Sequence, residues 1–257
     1  MGPSTAMLRP APRGGSERYL LRIGVPSGLL AIAAVGWWWS VRMAGDMDRM
    51  AMHDTLSFGA FIVAWVAMMT AMMFPAISPV VRLYAGASGR HTVAPLPFFV
   101  AGYLVMWTAV GVLAYAAWRE LEMPIAEGRT WVGNLAGVAL IAAAIWQLTP
   151  LKAVCLRHCR SPMSFFLRFG RHLERPSGAL RAGAMHGAFC VGCCWALMAV
   201  LVAVGTMSVA WMIGLAILIT LEKNAPYGER IAQVAAVPLA ALGLILLFDG
   251  SVIADLT

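Results

Sequence analysis

The stretch that decides the fold is AMHGAFCVGCCWALMAVLVAVG, residues 184–205. At about 1.5 Å per residue, an α-helix of this length would cross the roughly 30 Å hydrocarbon core of a bilayer. The same stretch carries a histidine, three cysteines and a methionine that could bind a metal: His186, Cys190, Cys193, Cys194 and Met198. Polar and ionisable groups inside such a segment are costly and usually functional. We therefore expect the rest of the chain to be organised around this helix.

The composition is that of an integral membrane protein. Of the 257 residues, 61% are hydrophobic and only 12% are charged, whereas a soluble domain usually has about 25% charged residues. The net charge of +7 lies mainly in segments between apolar runs, and membrane topology explains this pattern better than nucleic-acid binding does. The sequence contains no nucleic-acid-binding motif or P-loop. No catalytic or organic-cofactor residue is therefore predicted, and a binding protein is favoured over an enzyme.

Apolar runs predict an all-α fold, a polytopic transmembrane bundle of about seven spans. The second span is expected to end at Pro75 and Pro79, and Glu120 and Glu122 are expected in a loop. The spans are predicted near residues 23–41, 58–77, 96–118, 131–150, 184–205, 209–221 and 231–248.

The predicted organisation is a single transmembrane domain, residues 23–250, between two tails. Residues 1–22 are expected to form a disordered basic cytosolic tail, and residues 251–257 a short tail. With a cytosolic N-terminus, the inner segments hold 15 Lys and Arg residues and the outer segments hold 4. This positive-inside bias predicts that orientation. Together with the Arg-rich and Ala-rich composition, it suggests a multi-pass protein of a bacterial inner membrane.

The cysteines of the central helix point to a soft metal. At about 100° per residue, His186, Cys190, Cys193 and Cys194 share one helix face, and Met198 lies at its edge. Thiolates suit Cu(I) or zinc. The group extends roughly 12 Å along the axis, so two sites or a relay are expected rather than one site. The alternative is that Cys and Met are ordinary buried residues in a closely packed helix.

The second predicted span contributes thioethers. Met68, Met69, Met72 and Met73 form two M-x-x-x-M pairs on adjacent lines of the helix. Thioethers select Cu(I) over harder ions, so this helix is expected to face the cysteine helix. A methionine-rich packing surface is the alternative. An outer loop with Met43, Met47, Met50, Met52 and His53 could capture copper or could be interfacial.

A third group, Cys155, His158 and Cys159, follows the fourth span in a basic loop predicted at residues 151–181. Cys155 and Cys159 are four residues apart, so both could face one ion if the helix continues there. Arg157 and Arg160 are expected to lower the pKa of the two thiols. These cysteines could instead form a redox-active pair. An interfacial amphipathic helix is predicted nearby, at residues 165–173.

Three motifs carry a resemblance to a known family. They are W-x-x-M-M-x-A-M-M-x-P at residues 65–75, Q-x-x-P-L-K-x-x-C-L-x-x-C-R-S-P at residues 147–162, and H-G-x-F-C-V-G-C-C-W-A-L-M at residues 186–198. Over roughly residues 58–250 the chain resembles the prokaryotic family of predicted metal-binding integral membrane proteins, a domain of unknown function. The resemblance implies a multi-pass fold with a metal site at these Cys, Met and His positions.

The favoured hypothesis is a membrane-embedded Cu(I)-binding protein that acts in copper transport, trafficking or delivery to a membrane cuproenzyme. Copper is preferred to zinc. The expected partners are the lipid bilayer and a cuproenzyme or metallochaperone, without nucleic acid. The alternatives are a membrane thiol–disulfide or electron-transfer protein, and a structural subunit without metal. Glu222 is expected to pair with Lys223 or to approach His186.

Overall fold

The computed structural model describes residues 23–50, 57–87, 95–127, 129–160, 175–204 and 208–249. Its regular elements there are all helical, which confirms the all-α part of the predicted fold class. The two predicted tails, His53 and the predicted interfacial helix lie outside the described residues. The helices are α1 Val25–Met50, α2 Phe58–Ala87, α3 Leu96–Ala126, α4 Thr130–Leu148, α5 Pro150–Arg160, α6 Pro176–Val204, α7 Val209–Asn224 and α8 Gly228–Phe248.

Five of these helices are long and apolar enough to cross a membrane: α2, α3, α4, α6 and α8. Within the described residues, α1 and the 16-residue α7 do not meet that standard, so the count of seven spans stays a prediction. Large apolar side chains also cover the outer surface, such as Leu113, which is 72% exposed, and Val234, which is 70% exposed. Such wide apolar exposure is typical of a surface that meets lipid or another protein.

The prediction that α2 ends at its prolines is wrong, because α2 continues through both Pro75 and Pro79. A proline in a helix leaves the carbonyl four residues earlier without its backbone donor. Two side chains replace those donors. The Trp37 indole N–H donates to Ala71 O at 3.1 Å, and the Ser78 hydroxyl donates to Pro75 O at 3.0 Å. The methionine helix therefore keeps its backbone carbonyls satisfied beyond the predicted end.

Three predicted loops are also partly helical. Met43, Met47 and Met50 of the predicted outer loop belong to α1, Glu120 and Glu122 belong to α3, and the predicted basic loop begins with α5. Thr149 separates α4 from α5 with an extended backbone. Its hydroxyl accepts a hydrogen bond from Lys152 N–H, and Pro150 stands at the first position of α5. A threonine cap followed by proline is a favourable helix start, so α5 carries its cysteines on a defined helix.

The cysteine helix α6 is the most buried of the five candidate spans, and its most extensive contact is with α3. Glycines allow the two backbones to meet: a β-carbon added at Gly183 would collide with Phe99 O, and one at Gly102 would collide with Leu180 O. One turn later, Gly187 lies against Met106. Small residues at a helix contact permit close packing, and this contact fixes α6 beside α3.

Candidate metal centre

Cys190 is the hub of a buried sulfur cluster on α6. Cys190, Cys193 and Cys194 are each at most 1% exposed. The Cys193 thiol donates to the Cys190 carbonyl at 3.1 Å, and the Cys194 thiol donates to the same oxygen at 2.8 Å. All five cysteines of the chain are free thiols. The structure thus gathers the three α6 thiols within one turn, as the helical geometry predicts.

Helix α5 adds a fourth thiol to this cluster. Cys159 is 4% exposed, and its Sγ lies 3.8 Å from Cys193 Sγ. One turn earlier on α5, Cys155 packs against Gly192, where an added β-carbon would lie 2.8 Å from the Cys155 sulfur. The two α5 cysteines therefore contact different parts of α6. Cys159 joins the buried cluster and Cys155 stays partly exposed.

The expectation that Arg157 and Arg160 lower the pKa of these thiols is wrong. Helix α5 lies outside the five candidate spans, and burial raises the pKa of the Cys155 thiol. Hydrogen bonds with the Cys190 and Cys193 thiols, together with burial, raise the pKa of Cys159 well above its usual value. The two arginines have other partners: Arg160 donates to Ala225 O and Pro226 O, and Arg157 pairs with Glu229. Metal binding at Cys159 must therefore displace a proton.

Two further side chains converge on the Cys190 sulfur. Lys223 Nζ of α7 donates to Cys190 Sγ at 2.8 Å, and Tyr103 Oη of α3 lies 3.1 Å from the same sulfur. Lys223 Nζ also lies 3.9 Å from the Met73 sulfur of α2. Tyr103 is fully buried and Lys223 is 6% exposed. The hub sulfur is thus surrounded by groups from α3 and α7 as well as α6.

Glu222 contacts two side chains that the sequence did not predict as its partners, Lys152 and Gln147. Its carboxylate accepts from Lys152 Nζ at 2.7 Å and from Gln147 Nε2 at 2.7 Å. Lys152 also donates to Gln147 Oε1. Lys152, Gln147 and Glu222 are each at most 4% exposed. This buried network ties α7 to the end of α4 and to α5, while the adjacent Lys223 faces the thiols.

The two histidines of the sequence prediction lie in different surroundings. His186 is buried, with its ring centroid 6.1 Å from those of Phe99 and Tyr103. His158 is exposed and stacks on Phe189 at 4.5 Å, and its Nδ1 lies 2.9 Å from Val154 O. His186 therefore lies on the α3 side of the cysteine helix, and His158 lies on the surface of α5.

The predicted methionine ligands lie in different parts of the structure. Met73 approaches Lys223 beside the thiols, and Met69 and Met72 are fully buried. Met68 lines an apolar crevice near the other end of α2 with Met43 and Met212 among its walls. Met198 lines a second, larger crevice of about 490 Å³ between α3, α4 and α6. The methionine helix packs mainly on α1, α3 and α7, so Met73 is the thioether that reaches the cysteine cluster, through Lys223.

The donor set fits a soft ion of low coordination number. Within the described residues, no group of three or more His, Cys, Asp or Glu is placed to hold a metal ion. The Cys159–Cys193 pair remains. Two sulfurs that each lie about 2.3 Å from a shared ion are at most about 4.6 Å apart, so the 3.8 Å separation of this pair allows both sulfurs to bind one ion. A structural zinc site takes four ligands, whereas a sulfur pair suits Cu(I).

Sequence reasoning missed the roles of Tyr103 and Lys223. The position of Lys223 could have indicated a functional role, because a lysine at the end of an apolar helix is an ionisable group near the membrane. Lys223 was instead interpreted only as an ion-pair partner of Glu222. Lys152 and Gln147 stand in one of the quoted motifs, and the network they form explains their presence there. Tyr103 had no distinguishing local pattern.

The described part of the chain is thus all-helical, with five helices long and apolar enough to cross a membrane and a buried cluster of four thiols. The chain matches the PpoB2 copper chaperone family over residues 62–246, most of its length, and belongs to that family. This match supports the metal-binding family that the motifs resemble, and it supports copper, which the soft ligands predicted. Neither the curated proteins nor the solved structures contain a match to the chain.

Proposed function

We propose that this protein is a membrane-embedded copper chaperone that holds Cu(I) as cargo between Cys159 and Cys193. The observation that carries the proposal is the 3.8 Å separation of these two sulfurs, which joins α5 to α6. The cluster is buried and rich in thiols, so it favours a soft ion over a hard one. The family match supports copper as that ion. Delivery to a membrane cuproenzyme, or exchange with a metallochaperone, is the role that follows.

The site is built from two elements that can separate. Cys193 lies on the long, buried α6, whereas Cys159 lies on the 11-residue α5. A small displacement of α5 would split the sulfur pair and leave the ion with fewer ligands. A partner thiol or thioether could then take the ion. Because each ligand can leave in turn, cargo moves by exchange and needs no nucleotide hydrolysis.

We propose a second, weaker copper site in the apolar crevice that Met68 lines. Met43, Met68 and Met212 come from three different helices and line one apolar crevice. Thioethers bind Cu(I) without deprotonation, so they suit a weaker, exchangeable station. We place this station at the outer side and the thiol cluster at the inner side, according to the charge pattern of the sequence.

A thiol–disulfide function remains the second candidate, and the structure changes the pair that would carry it. The sequence hypothesis used Cys155 with Cys159 and Cys193 with Cys194. The structure instead places Cys159 of α5 and Cys193 of α6 with their sulfurs 3.8 Å apart. Thiol counts before and after mild oxidation of the metal-free protein test this candidate. A loss of two thiols that Cys193→Ser abolishes would favour redox chemistry.

The main experiment is a Cu(I) titration of the anaerobically purified protein, with a competing Cu(I) chelator as the indicator. We expect one tightly held Cu(I) in the wild type. Cys159→Ser and Cys193→Ser should each weaken binding at least tenfold, and the double variant should be no weaker than either single variant, because the two thiols act as a unit. Cys155→Ser is the matched control on α5 and should bind as the wild type does. Unchanged binding in the double variant would refute this site.

A further inference from the structure

We infer that Lys223 is a charge filter for the cargo site: its ammonium, held against the Cys190 sulfur, selects a monovalent ion over a divalent one. The inference rests on the proposed Cu(I) function and adds a residue that determines ion selectivity. It starts from the position of Lys223 Nζ, 2.8 Å from Cys190 Sγ and 3.9 Å from Met73 Sδ.

The geometry keeps this charge close to any ion that the hub thiol binds. A metal ion lies about 2.3 Å from a thiolate sulfur. An ion on Cys190 would therefore lie no farther than about 5 Å from Lys223 Nζ, the sum of that bond and the 2.8 Å hydrogen bond. The cargo pair adjoins this thiol: the Cys193 thiol donates to the Cys190 carbonyl at 3.1 Å, and Cys159 Sγ lies 3.8 Å from Cys193 Sγ.

The surroundings leave this charge little screening. Lys223 is 6% exposed and Cys190 is fully buried. Lys223 Nζ contacts the Cys190 and Met73 sulfurs, and the Tyr103 hydroxyl contacts the same Cys190 sulfur. The neighbouring Glu222 carboxylate is engaged by Lys152 and Gln147 on the other side of α7. Charges interact more strongly in a buried site than in water, so the Lys223 ammonium repels any cation that enters the site.

The consequence is a penalty that depends on ion charge. Coulomb repulsion between Lys223 and a bound ion is proportional to the charge of the ion. A dication such as Zn(II) therefore meets twice the repulsion that Cu(I) meets. The same ammonium moderates Cu(I) affinity, which keeps the cargo exchangeable. The lysine acts as a fixed positive charge throughout, so the mechanism requires no proton transfer.

The test compares Cu(I) and Zn(II) affinities of the wild type and Lys223→Gln, each by chelator competition. Glutamine removes the charge and keeps a hydrogen-bond donor. We expect Cu(I) affinity to rise about tenfold and Zn(II) affinity about a hundredfold, because a doubled free-energy change squares the ratio. Zn(II) binding that becomes measurable only in the variant supports the inference equally. Equal gains for both ions, or no gain, would overturn it.

Two control variants separate charge from shape. Lys223→Arg keeps the charge and should retain the wild-type preference for Cu(I). Arg230→Gln removes an exposed cation that lies over the Tyr227 ring, and should leave the ratio of the two affinities unchanged. If Lys223→Gln does not fold, Lys223→Leu provides the same neutral comparison. A wild type that binds no Cu(I) would refute the proposed function itself, whereas Cu(I) binding with unaltered selectivity in the neutral variant refutes the filter alone.

Discussion

At the scale of single residues, breaking the buried pair of Lys152 and Glu222 should strongly destabilise the protein. The two side chains are 1% and 2% exposed, and their charged atoms are 2.7 Å apart. Removing one partner of a buried pair leaves an uncompensated charge and costs about 3–5 kcal/mol. We therefore expect Glu222→Ala to lower the thermal unfolding midpoint of the detergent-solubilised protein markedly.

Two comparisons sharpen that measurement. Replacing both partners, as Lys152→Met with Glu222→Leu, should recover much of the lost stability, because two apolar side chains carry no unpaired charge. Glu229→Ala is the control, since its pair with Arg157 is largely exposed, and exposed pairs contribute about 0–1 kcal/mol. An equal loss of stability in Glu222→Ala and Glu229→Ala would contradict the prediction that the buried ion pair matters more than the exposed one.

The contacts of Glu222 and Lys223 could not be predicted from the sequence, although the arrangement of the cysteines could. The cysteine positions were predictable because a helix places residues three and four apart on one face. The partners of Glu222 and Lys223 were not. Consecutive helical side chains point about 100° apart, so Glu222 and Lys223 face different neighbours. Which neighbours they meet depends on how α7 packs between α5 and α2, and no local pattern encodes that packing.

At the scale of elements, the continuity of α2 should depend on Trp37. Its indole N–H donates to Ala71 O, the carbonyl that Pro75 leaves without a backbone donor. Trp37→Phe should therefore cost about 1–3 kcal/mol, the penalty of an unsatisfied buried polar group. In a Pro75→Ala background, the restored backbone N–H at residue 75 can serve Ala71 O. The same Trp37→Phe change should then cost clearly less.

The four variants form a double-mutant cycle, measured by equilibrium unfolding in detergent. A coupling energy of about 1 kcal/mol or more between positions 37 and 75 supports the assignment. Additive effects would show that the indole bond does not compensate for the proline. Ser78→Ala, which removes the hydroxyl donor to Pro75 O, offers a second position at which the same compensation can be measured.

The ends of helices were predictable only where no residue distant in sequence changed the effect of the local residues. The prolines of α2 gave a false end because donors distant in sequence, such as Trp37, can replace a missing backbone bond. The start of α5 could have been read from Thr149 and Pro150, which are typical of a helix start. The neighbours of α6 could not, since contact with α3 depends on matched glycines, Gly102 and Gly183, in distant segments.

At the scale of the whole molecule, the all-helical class followed from composition and apolar runs, while the assembly of the site did not. Helix α3 runs parallel to α6, since Phe99 meets Gly183 and Met106 meets Gly187. Two parallel helices run in the same direction across a membrane, so an odd number of crossings must separate them in the chain. Helix α4 provides one such crossing between α3 and α6, if the short α5 lies at the membrane surface. The cysteine cluster thus lies near one end of the bundle, where α5 and the end of α7 meet α6.

The orientation of this end is the last prediction. Tyr227, 65% exposed, lies at that end beside Arg160 and Arg230, and Met123, 58% exposed, lies near the far end of α3. Basic residues favour the cytosolic side. In a Cys155→Ser background the remaining cysteines are at most 4% exposed. A membrane-impermeant maleimide should then label Tyr227→Cys in inverted vesicles and Met123→Cys in right-side-out vesicles. The reverse pattern would place the thiol cluster toward the outside and would require copper to be collected there.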